Sequence, residues 1–209
     1  MNHPTPKVPV PTLERMATYL ACLTDLNEKQ VQTISSADME QMTNINAAQF
    51  RKDLSYFGEF GRPGIGYSVP ELAGRISTIL KVDREQPVLL AGAGNLGSAL
   101  AGYPALRREN FHIVAAFDTD PDKIGSRLWD LDIHDIAQAP AMNRALNAKI
   151  GIIAVPAAAA QGVAETLVSA GVTAILNFAP VSLRVPAGVA VRNVDFVQEM
   201  AVLSYHLAG

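Results

Sequence analysis

The 209-residue chain predicts an α/β protein: an N-terminal winged helix-turn-helix, then a Rossmann-type doubly wound parallel sheet, then a C-terminal helix. Three observations predict it. The texture changes near residues 82–87, where apolar residues at helical spacing give way to strand-like runs alternating with helical patterns. Three helical segments precede a Gly/Pro cluster set between apolar residues, the order of a winged helix. A glycine-rich stretch, Gly92 to Gly97, falls between an apolar run and a helical pattern. The expected boundaries are 1–84 for the winged-helix domain, 85–193 for the Rossmann domain and 194–209 for the terminal helix.

In the first part, Thr12 is the expected cap of a helix carrying Leu13, Met16, Ala17, Leu20 and Leu23. Ser35 or Ser36 starts a second helix through Met42, and Thr43-Asn44 makes the turn. The third helix has the clearest start. Asn46 is a good N-cap, Gln49 stands where it can complete a capping box, and Ile45 and Phe50 have hydrophobic-staple spacing. Phe50, Leu54 and Phe57 then form one apolar face, and Gly58 ends the helix. Phe60 to Val69 holds three further glycines and a proline, which predicts a tight two-stranded turn. One more helix follows from Pro70 to about Leu80.

In the second part, Pro87–Ala91 is a strand, followed by a helix from Asn95 to about Arg107. Phe111–Phe117, Ile150–Val155 and Val172–Asn177 are further strands, and a helix through about Ala170 is closed by Gly171. Strand and helix in alternation imply a parallel sheet. Asp195–Leu207 reads as an amphipathic helix with Phe196, Met200, Leu203 and Leu207 on one face.

Composition removes several classes. Hydrophobic residues make up 49% and charged ones 18%, which is globular and not disordered. No run of about 18 apolar residues exists, so no membrane span is expected. The proline-rich start is no signal peptide, and the single Cys22 permits no internal disulfide; both fit a cytoplasmic protein. The net charge is -3, and residues 1–85 carry nine Lys and Arg against ten Asp and Glu. A nucleic-acid surface must therefore come from a local arrangement of a few cations.

Gly92-Ala93-Gly94-Asn95-Leu96-Gly97 is a dinucleotide pattern in the right context. The first glycine serves the tight turn, the second lets the backbone approach a pyrophosphate, and the third allows close helix–strand packing. Asp118 ends the next strand, 21 residues after Gly97, where a carboxylate meets the adenosine ribose and repels a 2′-phosphate. This favours NADH and NAD+ over their phosphorylated forms. No metal-ligand cluster is visible, and His3, His112, His134 and His206 lack a catalytic setting, so no catalytic residue is assigned and no enzyme is expected. On the third helix, Gln49, Arg51, Lys52 and Ser55 form a polar face suited to phosphates and base edges, with Asn46 and Tyr56 beside it and Arg62 at the wing tip. Asp53 is the odd member, expected to hold a neighbouring cation or the hairpin. Two other readings stay open on spacing alone. One is a small NAD-dependent oxidoreductase; the other is a CoA- or nucleotide-binding scaffold without DNA affinity.

Further stretches carry a resemblance. Arg51-Lys-Asp-Leu-Ser-Tyr-Phe-Gly58 is followed by the Gly61–Tyr67 wing, and Gly92–Gly97 is followed by Tyr103. Phe117-Asp-Thr-Asp-Pro-Asp-Lys-Ile-Gly125, Val155-Pro156 with Ala160-Gln161, Leu176-Asn-Phe-Ala-Pro180 and Asn193-Val-Asp-Phe196 complete the set. With these, the chain resembles the Rex family of bacterial redox-sensing transcriptional repressors over nearly its whole length. Ala93, where a bulkier residue is usual, and the smooth Ala157–Ala160 are the departures.

The resemblance implies a homodimer whose C-terminal helix is domain-swapped, binding palindromic operator DNA and released by NADH, with NAD+ competing weakly. It also implies a polar linkage of Arg15, Tyr103 and Asp195 that reports nicotinamide redox state. Thr119 and Lys123 join Asp118 at the adenosine end. Phe196 and the Asn177–Pro180 strand end, with Phe178, line the nicotinamide pocket, and Val155 and Pro156 are further cofactor-binding residues. A neutral reduced ring can sit against Phe196 in an apolar pocket, whereas a cationic ring loses solvation there.

Overall fold

The computed structural model describes residues 8–61 and 64–207. The chain divides into two compact units, Met1–Arg84 and Glu85–Gly209.

The first unit is built on α1 (Val10–Glu28), α2 (Ser36–Thr43), α3 (Ala47–Ser55) and α4 (Val69–Leu80). Helix α1 begins earlier than its sequence suggests. Pro9 occupies the N-cap and Pro11 the first turn, where a missing N–H costs nothing. Thr12 is consequently inside the helix and buried. The buried face is Thr12, Met16, Tyr19, Leu23 and Leu26, while the expected Leu13 and Ala17 face solvent. The apolar stripe alone misplaced the face because Tyr19 and Thr12, with polar tips, are buried against partners.

The reciprocal capping box forms at α2: Ser35 accepts from the Asp38 N–H, and Asp38 accepts from the Ser35 N–H. At α3, Asn46 caps the Ala48 N–H at 2.8 Å as expected. Gln49 does not close the box, because its amide turns elsewhere. Glu40 of α2 takes the Ala47 N–H instead, at 3.0 Å.

The expected local hairpin is replaced by a long-range pairing. Strand β2 (Tyr67–Ser68) pairs antiparallel with β1 (Thr33–Ile34), just before α2. Gly66, at φ 91°, permits this: a Cβ there would lie 2.6 Å from the Ile34 carbonyl oxygen. Arg62 and Pro63 of the expected wing lie outside the described residues. The core closes around Phe50, which meets Tyr19 edge-on at 4.8 Å and Tyr67 at 5.3 Å. Edge-to-face pairs add about 0.5–1.5 kcal/mol each beyond burial.

The second unit is a seven-stranded sheet. Its strands are β3 (Gln86–Ala91), β4 (Phe111–Asp118), β5 (Arg127–Leu128), β6 (Leu131–Asp135), β7 (Ile150–Ile153), β8 (Ala174–Asn177) and β9 (Ala190–Asn193). The order is β5-β6-β4-β3-β7-β8-β9, parallel except for β5. Strand β3 is central, and the chain runs outward from it first through β4 and then through β7. That reversal is the topological switch point, where an open α/β sheet presents a crevice at its strand ends.

The expected helix after the glycine loop is two helices, α5 (Asn95–Ala101) and α6 (Pro104–Arg108). Pro104 cannot donate to the preceding turn and forces the break at Gly102-Tyr103. Helix α7 (Ala139–Leu146) and strands β5, β6 and β9 had no sequence signal strong enough to name them. Leu131-Asp-Ile-His-Asp135 is short and polar on one face, and His134 sits within it. Helix α8 (Ala157–Ser169) packs Ala160, Val163, Ala164 and Leu167 onto the sheet, and Gly171 at φ 93° follows it. Helix α9 (Phe196–Tyr205) buries none of its residues.

Candidate functional site

The glycine loop meets three different steric demands. Gly92 has φ 106°, and a Cβ on it would collide with the Ala154 carbonyl beyond β7. A Cβ on Gly97 would fall inside the Gly92 carbonyl oxygen, so helix and loop can approach only with hydrogen there. Gly94 is different: nothing lies within 4 Å of where its Cβ would be. The two flanking glycines are required by the protein's own packing. The middle one leaves open space over the loop, which is what a bound pyrophosphate needs. Asn95 and Leu96 open α5 and are exposed.

Asp118 ends β4 beside this loop and fixes it. Its Oδ2 accepts the Ala93 N–H at 2.9 Å and the Lys123 ammonium at 3.1 Å. Its Oδ1 accepts the N–H groups of Thr119 at 2.8 Å and Asp120 at 3.0 Å. Burial works against the charged carboxylate. The hydrogen bonds from Ala93, Asp120, Lys123 and Thr119 outweigh it and hold its pKa below the usual range. The same contact, chiefly the hydrogen bond to Asp118, raises the Lys123 ammonium. The sequence signals Asp118 as a ribose contact; the fold also makes it the anchor of the phosphate loop.

At the far end of the crevice, Val155 packs against Gly92 and Pro156 caps α8. Asn177 is fully buried, and its side chain is used internally. Its amide donates to the carbonyls of Ala179 and Val181 and to Asn193 Oδ1, and its carbonyl accepts the Ala179 N–H. It therefore shapes the turn that carries Phe178, a different role from the direct contact expected of it. Asn193, unremarked in the sequence beyond its motif, is part of the same lock. Phe178 and Phe196 stand 6.2 Å apart with rings inclined at 34°. Phe196 is 61% exposed, at the first turn of α9, whose N-cap Asp195 accepts from Val197 and Gln198. Tyr103, exposed, caps α6 and opens onto a cavity of about 740 Å³ with Arg107 and Trp129, at the end of α5 remote from Gly94.

In the first unit, α3 is held by a buried carboxylate. Asp53 is fully buried and accepts five hydrogen bonds: two from Arg15 (2.6 and 2.7 Å), and one each from Tyr19 (2.9 Å), Gln49 (2.8 Å) and Thr12 (3.2 Å). Burial opposes its charge, but Arg15, Gln49 and Tyr19 override that, and its pKa lies below the ordinary value. Arg15 is raised chiefly by its hydrogen bond to Asp53. The expectation that Asp53 holds a cation is met by Arg15. Gln49, assigned by sequence to the exposed polar face, is instead turned inward to Asp53.

What remains outside is Arg51, Lys52, Ser55 and Tyr56, all exposed, with Asn46 at the head of the helix. The Arg51 guanidinium donates to Ser36 Oγ at 2.7 Å, which joins α3 to the start of α2. Ser36 enters the sequence only as a possible helix start; the fold brings it beside Arg51. Ser55 donates back to the Lys52 carbonyl. Arg62 is not among the described residues. Among the described residues there is no cluster of three or more His, Cys, Asp or Glu that could hold a metal ion, and no helix long and apolar enough to cross a membrane.

Comparison with known proteins agrees with this division. Residues 7–55 match the family described as putative DNA-binding protein N-terminus, and residues 83–181 match the CoA binding domain family. The redox-sensing transcriptional repressor Rex of Carboxydothermus hydrogenoformans is 45% identical, covering 96% of this chain and 97% of its own. That of Chloroflexus aggregans is 46% identical over 94% and 92%. Among solved structures, RSP in complex with β-NAD+ and operator DNA superposes with a TM-score of 0.91 at 34% identity, covering 96% of this chain and 93% of RSP. RSP in complex with β-NADH gives 0.86 at 32% identity, over 96% and 94%.

Proposed function

Because the chain belongs to the Rex family of redox-sensing transcriptional repressors, we propose that it binds operator DNA as a homodimer and that NADH releases it. NAD+ and NADH are sensed and not consumed; the protein is a regulator and not an enzyme, and it works in the cytoplasm. The observation that carries this reading is the co-occurrence, in one chain, of a preformed phosphate loop and an anchored recognition helix. The loop is fixed by Asp118 and open at Gly94. The helix is fixed by Asp53 and leaves Arg51 and Lys52 exposed.

The dinucleotide site runs along the switch-point crevice. Gly92, Ala93, Gly94, Asn95, Leu96 and Gly97 take the pyrophosphate, Asp118, Thr119 and Lys123 the adenosine ribose end. Val155, Pro156, Phe178 and Phe196 border the nicotinamide, with Asn177 shaping that border. Arg51 and Lys52 supply the cations for the DNA backbone and base edges, supported by Asn46, Ser55, Tyr56 and Arg62. Gln49 contributes by positioning α3 through Asp53. The resemblance supports Arg15, Tyr103 and Asp195 as the linkage that couples the two activities. The exposed apolar surface of α9 is covered by the second subunit in the swapped dimer. This helix belongs to its own segment, 194–209, which crosses to the partner.

A ligand shifts a two-state dimer only by its differential affinity for the two states. The test is therefore direct. A palindromic duplex selected from a random pool is titrated with the protein by fluorescence anisotropy, with NADH or NAD+ added. NADH is expected to weaken DNA binding at least tenfold while NAD+ leaves it nearly unchanged. DNA affinity unaffected by NADH would remove the sensor reading.

A further inference from the structure

Three sulfur atoms meet where α1 packs on α2. The Sγ of Cys22, half-buried on α1, lies 3.9 Å from Sδ of Met39 and 3.7 Å from Sδ of Met42. Met39 is fully buried and Met42 is 47% exposed. The two methionines stand one turn apart on the same face of α2. They are 17 and 20 residues from Cys22 in sequence, so no local motif announces the cluster.

Packing alone would account for a cysteine beside one methionine. This arrangement goes further. A thiol has a single proton to donate, and two thioethers are placed to take it, so one acceptor is in surplus. Met42, although largely open to solvent, turns its sulfur inward to Cys22. The spacing is also that of ligands around one metal ion. A metal–sulfur bond of about 2.3 Å puts the sulfurs about 3.8 Å apart in a tetrahedral site and about 4.0 Å apart in a trigonal one.

The donor set selects the metal. Thiolate and thioether sulfurs are soft ligands and favour Cu(I). Among the described residues no three His, Cys, Asp or Glu gather in one place, so a harder divalent ion has no competing donor set. The carboxylate near Cys22, Asp25, is engaged by Lys29 at 2.7 Å. Burial, reinforced by Asp25, raises the Cys22 thiol and keeps it protonated when free. A bound cation displaces that proton to solvent; a metal–sulfur bond replaces the S–H bond and no electron is transferred. One monovalent cation on one thiolate and two neutral thioethers is electrically neutral, which a half-buried apolar site tolerates. A divalent ion there would strand a net charge.

We propose that Cys22, Met39 and Met42 form a binding site for a soft monovalent cation, Cu(I), that bridges α1 and α2. The buried Met39 and the half-buried Cys22 form its floor, and the exposed Met42 gives it an open side. A cation held there ties the two helices together, so it stabilises the first unit by mass action.

The test uses the full-length protein, reduced and kept free of oxygen. It is titrated with Cu(I) against a chromophoric Cu(I) chelator, and the coordination of the complex is read by X-ray absorption. One Cu(I) per chain is expected, surrounded by sulfur at about 2.3 Å. Cys22→Ser should weaken binding at least about a hundredfold, and Met39→Leu and Met42→Leu each at least about tenfold, since even outer partners of a metal site are worth tenfold to a hundredfold. Met142→Leu, in the second unit, should change nothing. Methionine to leucine conserves volume, so the metal-free leucine variants should keep the wild-type melting temperature; Met42, being exposed, gives the variant least coupled to folding. Loss of binding in Cys22→Ser with both leucine variants unchanged would overturn the site in favour of a thiol acting alone. Binding that survives Cys22→Ser, nitrogen or oxygen neighbours at the metal, or a wild-type protein that yields all its Cu(I) to the chelator would overturn it as well.

Discussion

Removing the charge of Asp53 should unfasten the recognition helix. The carboxylate is fully buried and accepts from four side chains on α1 and α3, while its ion-pair partner Arg15 is 27% exposed. Deleting one member of a buried pair costs about 3–5 kcal/mol, because the other is left uncompensated. The two deletions are not equivalent. In Asp53→Asn the exposed Arg15 can turn to water, and the cost comes mainly from Tyr19 and Thr12 facing a weaker acceptor, so the lower end, about 3 kcal/mol, applies. In Arg15→Ala the charge stranded is the buried one, and the loss should reach the upper end, about 5 kcal/mol.

A domain holds only about 5–15 kcal/mol in total, so either change brings the first unit close to unfolding. Urea denaturation followed by far-ultraviolet circular dichroism measures the loss. Emission of Trp129, the chain's single tryptophan, reports on the second unit as an internal reference. The same network sets a pH dependence. The folded pKa of Asp53 is depressed, so its stabilisation is complete above the unfolded value near pH 4. It is lost as pH falls through that value towards the lower folded one. Losses below about 1 kcal/mol in both variants, the range of an exposed ion pair, would refute the reasoning, as would a stability of the first unit flat between pH 5 and 3.

Three further outcomes follow from the geometry. Gly94→Ala should fold with an unchanged melting temperature, because its Cβ enters open space, yet lose NADH affinity at least tenfold; Gly97→Ala should lose both, because its Cβ meets the Gly92 carbonyl. Thermal unfolding and NADH calorimetry on the two variants separate packing from ligand space. Arg51→Ala combined with Lys52→Ala should abolish DNA binding at 150 mM salt, on the order of the physiological ionic strength, and leave NADH affinity intact; joint loss would indicate misfolding. Met200→Glu with Leu203→Glu places charges on α9 side chains that are 62% and 58% exposed in the single chain. Sedimentation equilibrium should find monomer, and a persistent dimer would show that α9 does not cover the partner.

Much of this protein is written locally. The glycine spacing, the apolar run before it and Asp118 at the end of the following strand specify a phosphate loop on the first βαβ unit. Each requirement acts within about 30 residues of chain. Asn46 as a cap and Phe50–Leu54 as a buried face specify α3 in the same local way. Pairings over long separations were not legible. Strand β2 joins β1 across 34 residues of sequence, between Thr33–Ile34 and Tyr67–Ser68, where the sequence suggests only a local hairpin. The short strands β6 and β9 are stabilised by neighbours already in the sheet, not by their own composition.

The site divides the same way. Sequence names the residue types that can meet a dinucleotide or DNA. Tertiary structure decides which of them are free to do so, because hydrogen-bonding capacity is finite and is allotted by contacts distant in sequence. Gln49 belongs by its helix to the exposed face, yet its amide is taken by Asp53. Asn177 stands where a ligand contact is expected, yet its amide is taken up by its own turn and by Asn193 of β9. Asp118 is where a ribose carboxylate should be, and the fold fills it with loop N–H groups and Lys123. The sequence determined the fold class and the residue types of the two surfaces; tertiary structure decided that buried Asp53 and the strand-end Asp118 hold α3 and the glycine loop in place, because their partners come together only in the folded chain.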